Sequence, residues 1–435
     1  MAGTEVRCGG TVSTPGRRRK GYRSAAVIGA LALAAAACAG GPGGETTADA
    51  ELVWAIGGPG AQPGGTFQLI TEMWNEENPD TPVTIDILPE DADEQRVQQS
   101  LVLNAGTAEF DVLAMDVIWT GEYAANDWIV DWEDQRGQIE EGILDGPLES
   151  AQYEGQLWAV PFSSNASFLY YRTDLVDEPP ATWDELAEVG LEAGEEAGIA
   201  PLVAQGASYE GFVVNFLEYY WSAGGELYNE DNTEVLWPSG DAAQTALDFM
   251  RESFDAGVYG PGFNTAMEEE ARNEFQSGNA VFMRQWPYAY ELILQDDDSP
   301  IRDDFEIAPL PTFDGDGTIS ALGGYNNAVS AFSENEEAAR EFVLWLSTTP
   351  EVQQFMGERA DPPVLAEAYD ALDDDPVMSL LGEVLPDSRA RPPIPQYTAV
   401  SDVMQRELFA AYQGDTDPDA AIEAVGDALQ DAIGS

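Results

Sequence analysis

Three polar residues in this chain have types and surroundings that suit hydrogen bonding to a hydroxylated molecule. Asp116 follows the apolar segment 110–115, which predicts a buried strand, and a carboxylate there can accept two hydrogen bonds from hydroxyls. The amide of Asn165 can both donate and accept, and the guanidinium fork of Arg391 can hold two oxygens. Each also has a structural explanation, as a helix N-cap, a turn residue and a surface ion pair respectively. Together they favour a neutral polyhydroxylated ligand, because Arg391 would repel a basic ligand and Asp116 an acidic one.

Aromatic residues and glycines form a second group of candidates. Trp286 and Tyr288 flank Pro287, which holds the chain away from helix and lets the two rings project near one another. Core packing is the ordinary explanation for a tryptophan, so this pair alone does not define a site. Gly324 lacks a side chain and permits close approach of the backbone to a ligand, and Tyr325 follows it directly.

Histidine is absent from all 435 residues. Its absence excludes Ser/His/Asp and Cys/His nucleophiles, histidine general bases and histidine-ligated metals. The two cysteines, Cys8 and Cys38, lie in or at the edge of an N-terminal export signal. The folded body therefore has no disulfide or thiolate metal site, and we expect no cofactor.

The chain is strongly acidic, with 80 Asp and Glu against 18 Lys and Arg and a net charge of -62. Such a surface repels nucleic acid and anionic lipid head groups, so neither is expected as a partner. A hydrophobic content of 44% and an aromatic content of 10% suffice for packed cores, which argues against disorder. We therefore expect a folded protein of two or three domains that is adapted to high salt, where screening weakens carboxylate repulsion.

The N-terminal segment has the features of an export signal. Basic residues at 17–20 precede an apolar stretch from Ala25 to Ala37 that is too short to span a membrane. The run Leu33-Ala-Ala-Ala-Ala-Cys38-Ala-Gly-Gly41 resembles a bacterial lipobox, in which the cysteine becomes the first mature residue and carries lipid. We predict a lipoprotein signal over 1–37, a lipid anchor at Cys38 and a flexible tether over 38–50. The arginines match a twin-arginine signal only in part, so the export route, Sec or Tat, stays open.

Apolar periodicity predicts an alternation of strands and helices. Residues 51–56, 83–88 and 110–115 predict strands, and the intervening segments 67–77 and 94–105 predict helices. Residues 157–162 and 167–171 predict further strands, and Thr182 with Glu185 fits a capping box that starts a helix. From there to about Thr318 we predict mainly helix, followed by extended chain over 319–329 and a helix over 336–346. The alternation implies a parallel α/β sheet with ligands at the strand ends.

Six short segments, spread across nearly the whole mature chain, occur in the same order as in a known protein family. They are Asp111-Val-Leu-Ala-Met-Asp116-Val-Ile-Trp119, Leu169-Tyr-Tyr-Arg-Thr-Asp174-Leu, Arg284-Gln-Trp286-Pro-Tyr288-Ala, Ala308-Pro-Leu-Pro311, Leu322-Gly-Gly324 and Arg391-Pro-Pro-Ile-Pro395. The set resembles the trehalose/maltose-binding branch of the sugar-binding proteins that serve ABC importers, within the wider family of maltose-binding protein. Each segment is weak alone, and together they are specific to the family.

The resemblance implies an α/β, two-lobed periplasmic-binding-protein-like fold of type II with several chain crossings in its hinge. One lobe is expected to comprise residues 51–162 and 319–362, and the other residues 163–318 and 363–435. The resemblance also implies a receptor rather than an enzyme, with two lobes that close around a disaccharide such as trehalose or maltose. Its partners would be that sugar and the permease subunits of an ABC transporter. It would act as a monomer on the outer face of the cytoplasmic membrane.

The resemblance assigns ligand contact to one set of residues: Asp116, Asn165, Trp286, Tyr288, Gly324, Tyr325 and Arg391. A looser match around the first glycine turn adds Gln62, Gln95 and Arg96. In this set the indole of Trp286 would stack on the sugar ring. Two positions depart from the family pattern. Ser163 stands where some relatives have a stacking tyrosine, and Tyr325 stands where the branch usually has tryptophan, so the sugar specificity stays open.

Three alternatives stay open at this point. A receptor of this architecture can bind an oligosaccharide, a polyol, a glucosylated osmolyte or a peptide instead. A secreted acidic α/β protein can be a glycoside hydrolase, which needs only two carboxylates at a set separation. The run Asp314-Gly-Asp316-Gly suggests a calcium loop, but position 12 of an EF-hand match is Tyr325 rather than Glu, so a solvated loop is expected.

Overall fold

Short apolar segments, which form strands, alternate along the chain with amphipathic segments, which form helices. A computed structural model describes residues 51–229 and 232–434. All described residues belong to one compact unit. The predicted signal, Cys38 and the tether lie outside the described residues.

The strands are β1 (Leu52–Ile56), β2 (Val83–Ile87), β3 (Val112–Asp116), β4 (Gln152–Tyr153), β5 (Gln156–Leu157), β6 (Val160–Ala166), β7 (Phe168–Arg172), β8 (Ala200–Val203), β9 (Ala280–Gln285), β10 (Phe305–Ala308) and β11 (Leu322–Val329). The α-helices are α1 (Thr66–Glu77), α2 (Ala92–Ala105), α3 (Thr120–Ala125), α4 (Arg136–Ile139), α5 (Asp145–Ser150), α6 (Trp183–Ala197), α7 (Glu210–Ser222), α8 (Ala242–Ala256), α9 (Glu268–Gln276), α10 (Ala289–Gln295), α11 (Glu336–Thr348), α12 (Pro350–Gly357), α13 (Ala366–Ala371), α14 (Pro376–Val384), α15 (Tyr397–Tyr412) and α16 (Pro418–Gly434). Short 3-10 helices lie at Pro59–Ala61, Phe263–Thr265 and Leu385–Asp387.

Two sheets organise the described chain. A five-stranded sheet has the order β2-β1-β3-β11-β6, and a four-stranded sheet has the order β10-β7-β9-β8. In the five-stranded sheet β1 pairs in parallel with β2 and β3, whereas β11 is antiparallel to β3 and β6. We call the body built on the five-stranded sheet the first lobe and the body built on the four-stranded sheet the second lobe.

Each sheet has its own buried apolar core. In the first lobe, the ring centroids of Trp54 and Phe342 are 5.4 Å apart, and those of Trp54 and Phe162 are 5.7 Å apart. In the second lobe, α7 is buried on nearly all sides and packs its Phe212 against Phe409 and Tyr412 of α15. Aromatic side chains bury large areas, so these ring contacts contribute strongly to the core around each sheet.

The chain passes between the sheets at several points, and two of these crossings involve β7 and β11. One residue, Ser167, separates β6 of the first lobe from β7 of the second. The chain returns between β10 and β11, where Ser320 and Ala321 lie immediately before the strand. These two crossings lie side by side, because the N–H of Ser167 donates to Oγ of Ser320 at 2.7 Å.

Between Thr182 and Thr318 helices α6 to α10 predominate, as predicted, but the prediction missed three strands of the second sheet, β8, β9 and β10. All six residues of β9 are buried, so the strand lacks the apolar/polar alternation that marks a half-exposed strand. The predicted capping box is confirmed, since the N–H of Glu185 donates to Oγ1 of Thr182 at 3.1 Å and the N–H of Thr182 donates back to Oε2 of Glu185 at 3.3 Å.

Two further observations concern the possible calcium loop and the possibility of a membrane-spanning helix. Oδ1 of Asp314 accepts the N–H of Asp316 at 3.1 Å within an exposed turn, and no group of three or more metal-binding side chains occurs among residues 51–229 and 232–434. Within the same ranges, no helix combines the length and the hydropathy needed to cross a bilayer.

Candidate binding site

A cavity of about 500 Å³ is lined by residues of both lobes. The first lobe contributes the glycine-rich turn after β1, the last residue of β3, parts of β6 and β11, and residues 359, 361 and 362. The second lobe contributes the start of α7, the segment 267–272, Trp286 and parts of α10. Because β1 and β3 run in parallel, their carboxyl ends meet at one edge of the sheet, as the alternation of elements predicted.

The structure brings nine of the ten predicted ligand residues to this cavity. They are Gln62, Gln95, Asp116, Asn165, Trp286, Tyr288, Gly324, Tyr325 and Arg391. The tenth residue, Arg96, does not line the cavity, and its Nη1 pairs with Oε1 of Glu122 at 3.0 Å. Ligand contact stays a prediction for all ten residues.

Asp116 combines the two roles that its position suggested. Its Oδ1 accepts the N–H of Ile118 at 3.1 Å, which is the local turn contact typical of an aspartate after a strand. The same oxygen accepts Nη2 of Arg391 at 3.1 Å. Oδ2 makes no hydrogen bond to any residue in 51–229 or 232–434, so this oxygen can accept a hydrogen bond from a solute.

Arg391 links the two lobes through two carboxylates. Its Nη2 contacts Asp116 at the end of β3, and its Nη1 donates to Oε1 of Glu210 at the start of α7 at 2.7 Å. The arginine is 4% exposed, so both ion pairs lie in a weakly hydrated environment. Burial alone would lower the pKa of Arg391, but Asp116 and Glu210 together raise that pKa above its usual value, so the guanidinium stays charged.

Glu210 is a cavity residue that the sequence analysis did not select. Besides Arg391, its carboxylate accepts hydrogen bonds from the hydroxyls of Tyr397, at 2.9 Å, and Ser401. Burial raises the pKa of the Glu210 carboxyl, and Arg391 and the Ser401 hydrogen bond offset part of that increase. The side chain therefore depends on these partners to remain ionised inside the protein.

Asn165 holds its amide close to β11. Its Oδ1 is buried and has no hydrogen-bond partner among the described residues. A Cβ on Gly323 would lie 2.4 Å from this oxygen and 2.9 Å from Cζ3 of Trp286, so any larger residue there would displace one or both side chains. At Gly324, with φ of +125°, the close neighbour is the Ser163 carbonyl, 2.2 Å from where a Cβ would lie. Both glycines keep the strands and the indole close together beside the cavity.

The aromatic residues of the cavity are fixed through their backbones and hydroxyls. The N–H of Trp286 donates to Oε1 of Gln285 at 2.9 Å, and its carbonyl accepts the hydroxyl of Tyr170 at 2.8 Å. The hydroxyl of Tyr288 donates to Oε1 of Glu269 at 2.8 Å, while burial, followed by the Glu269 charge, raises the pKa of this tyrosine. Trp286 is only partly buried and lines the cavity, which leaves part of its ring open to a ligand.

Carboxylates outnumber guanidinium groups around the cavity, by seven to three. Among them, Glu268 accepts the hydroxyl of Tyr209 through Oε2 at 2.7 Å, and burial raises its pKa. Burial also raises the pKa of Asp361 to about 6. Sequence reasoning missed both residues, because an acidic side chain is unremarkable in a chain with 80 of them.

The arrangement suits binding through hydrogen bonds and stacking. Without histidine, the chain lacks the usual base for activating a serine or cysteine nucleophile. The carboxylates of Asp116 and Glu210 are joined by Arg391, so this pair is not free to flank a glycosidic bond in the way that a pair of glycosidase carboxylates does.

Comparison with known proteins decides the class. Residues 57–354 match the model of the family described as bacterial extracellular solute-binding protein. The chain belongs to this family. The structure of maltose-bound T. maritima MalE3 has 34% identity and a TM-score of 0.81, and covers 88% of this chain and 99% of its own. These findings confirm the family resemblance and the two-lobed type II fold.

Two proteins of similar sequence point the same way. A probable ABC transporter-binding protein of Deinococcus radiodurans is 29% identical over 372 residues, which are 81% of this chain and 87% of the relative. A maltotriose-binding protein of Pyrococcus abyssi is 29% identical over 298 residues, which are 63% and 62% of the two chains. Members of the family are extracellular binding proteins, so this solute-binding protein is an exported protein and not an enzyme, as predicted.

Proposed function

We propose that this protein is the lipid-anchored receptor of an ABC importer and binds a disaccharide of the trehalose or maltose type between its lobes. The observation that carries the proposal is that one cavity holds the indole of Trp286 together with the polar groups of Asp116, Asn165 and Arg391. A sugar offers hydroxyls that need directed hydrogen bonds and C–H faces that pack on an aromatic ring. This combination of groups supplies both kinds of contact.

The size of the cavity and the sugars bound by similar proteins support a small sugar as the ligand. The volume of about 500 Å³ falls within the range of about 300–1,000 Å³ that is usual for small-molecule sites. The T. maritima protein of similar structure is bound to maltose, and the Pyrococcus abyssi relative is a maltotriose-binding protein. A solute that touches both lobes favours their closed arrangement, and the permease would recognise that arrangement.

Isothermal titration calorimetry of the purified protein against a sugar panel tests the ligand class. The panel comprises trehalose, maltose, sucrose, maltotriose and sorbitol. We expect one site per chain and the highest affinity for an α-linked glucose disaccharide, because this ligand provides a ring face for Trp286 and hydroxyls for Asp116 and Asn165. The highest affinity for sorbitol or maltotriose would reassign the site to a polyol or a longer oligosaccharide, and no heat from any member would refute sugar binding.

Cys38→Ser tests the lipid anchor. In the native host we expect the variant to lose the incorporation of labelled fatty acid and to leave the membrane fraction, because serine cannot form the thioether to lipid. Cys8→Ser is the matched control, since Cys8 lies before the apolar stretch and should be dispensable. Continued lipid labelling of the Cys38→Ser variant would show that the anchor is elsewhere or absent.

A further inference from the structure

The second lobe contains a buried ion pair that does not line the cavity. Glu218 of α7 is 1% exposed and Arg284 of β9 is 3% exposed. The pair is bidentate, with Nε of Arg284 donating to Oε2 of Glu218 at 2.9 Å and Nη2 donating to Oε1 at 2.6 Å. Apolar residues of similar volume often stabilise a core as well as such a pair does, so the pair invites a functional explanation.

Arg284 lies against the indole of Trp286. Its guanidinium carbon is 4.4 Å from the ring centroid, which is cation–π geometry. Its Nη1 donates to Oε1 of Gln205 at 3.1 Å, and Gln205 donates to Oε1 of Gln285 at 2.9 Å. That same Gln285 oxygen accepts the N–H of Trp286. The ring and the backbone of Trp286 are therefore held by one connected network.

The other contacts of Glu218 lie at two of the crossings between the lobes, the one before β7 and the one before β11. Its Oε1 accepts the hydroxyl of Ser167, the single residue between β6 and β7. The same oxygen accepts the N–H of Ala321 at 3.2 Å, immediately before β11. One buried carboxylate thus contacts both crossings and, through Arg284, the ring that faces the cavity.

We propose that Glu218 and Arg284 are positioning residues for the solute site. Glu218 holds Arg284 against the Trp286 indole and connects that indole to two of the chain crossings, at Ser167 and at Ala321. Contact of a solute with the indole is thereby coupled to the segments that must bend when the lobes move. The proposal rests on the proposed function in one respect, namely that the solute stacks on Trp286.

A purely structural ion pair makes a different prediction. It would stabilise the second lobe, and its removal would lower the free energy of unfolding while the folded protein kept its affinity and the environment of Trp286. The test therefore needs measurements on the folded protein that stability alone does not change.

The test uses the double variant Glu218→Gln/Arg284→Met, which removes both charges and leaves neither one buried without a partner. Fluorine NMR of protein labelled with 5-fluorotryptophan reports on its 11 tryptophans separately. The Trp286 signal is assigned by its loss in Trp286→Phe. We expect this signal to shift in the double variant while the signals of distant tryptophans stay in place, and the affinity for the best sugar of the panel to fall about tenfold.

The matched control is Arg172→Met/Asp174→Asn, which removes the ion pair at the end of β7, in the same lobe but away from Trp286. We expect neither the signal nor the affinity to change. An unmoved Trp286 signal in the Glu218→Gln/Arg284→Met protein, or an affinity within twofold of the parent, would overturn the proposal. If the parent binds no sugar, the proposed function fails by itself, and the fluorine shift still decides whether the pair positions the indole.

Discussion

Arg391→Met is expected to lower the free energy of unfolding by about 3–5 kcal/mol, the usual cost of removing one partner from a buried ion pair. Arg391 is the shared cation of Asp116 and Glu210, whose side chains are 18% and 4% exposed in these pairs. Methionine fills similar space but cannot donate hydrogen bonds, so both carboxylates lose a charged donor. Chemical denaturation followed by circular dichroism at pH 8 measures the loss.

The loss should depend on pH through Glu210. Burial already raises the pKa of this carboxyl in the folded protein, and Arg391 counteracts the increase. Without Arg391 the folded-state pKa rises further, so the carboxyl binds a proton at higher pH than before. A raised carboxyl pKa contributes stability at low pH that is lost as the pH rises through the folded pKa. We therefore expect the variant to be closer to the parent at pH 5 than at pH 8.

Two further variants test whether the loss of stability in Arg391→Met comes from the carboxylates that are left without a partner. Arg406→Met removes an arginine whose side chain is 64% exposed and paired with Glu407, and it should cost less than about 1 kcal/mol. Adding Glu210→Gln to Arg391→Met should restore part of the lost stability, because it removes the buried charge left without a partner. A loss below about 1 kcal/mol for Arg391→Met alone would mean that the two carboxylates do not depend on this arginine.

The fold was predictable where each element carries a local signal. The strands β1 to β3 and the helix begun by Thr182 were predicted because apolar runs, turn glycines and a capping box mark them in sequence. The strands β8, β9 and β10 were not, because they are short and mostly buried, and a short apolar run does not distinguish a strand from a helix. Only their pairing with β7 and with each other makes them strands.

The lining of the cavity was predictable in part for a similar reason. Trp286, Asn165 and Arg391 belong to residue types that are rare enough in this chain to be selected and matched to a family pattern. Glu210 and Glu218 are not rare, but they lie on a helix, α7, whose residues from Glu210 to Trp221 are all buried. An apolar run of that length predicts a helix buried on all sides, and any charge on it must have a partner. This criterion would have selected both glutamates.

The partners of those glutamates were beyond the reach of sequence. Arg391 is 181 residues from Glu210 and 275 residues from Asp116. The sequence alone suggests an acidic partner for Arg391 but does not single one out among 80 carboxylates. Neither could it place Arg284 against Trp286, although the two residues are neighbours in the chain, because that contact depends on Glu218 fixing the guanidinium.

Trp286→Ala is expected to weaken binding of the best sugar of the panel by about 10- to 100-fold, the equivalent of losing one aromatic contact with an apolar ring face. The reason is that Trp286 lines the cavity next to the polar groups, so its loss removes an aromatic face of the site while Asp116 and Asn165 remain. Calorimetry with that sugar measures the change directly.

Two comparison variants separate stacking from general damage to the protein. Trp286→Phe keeps a flat ring and should bind within a few-fold of the parent. Trp345→Ala removes a partly buried tryptophan of α11 that packs against Trp74 and Phe342, so it should reduce stability without changing affinity in the folded protein. Equal affinities for Trp286→Ala and the parent would place the sugar against the polar residues alone. In that case the contact of Arg284 with the indole would have no bearing on recognition.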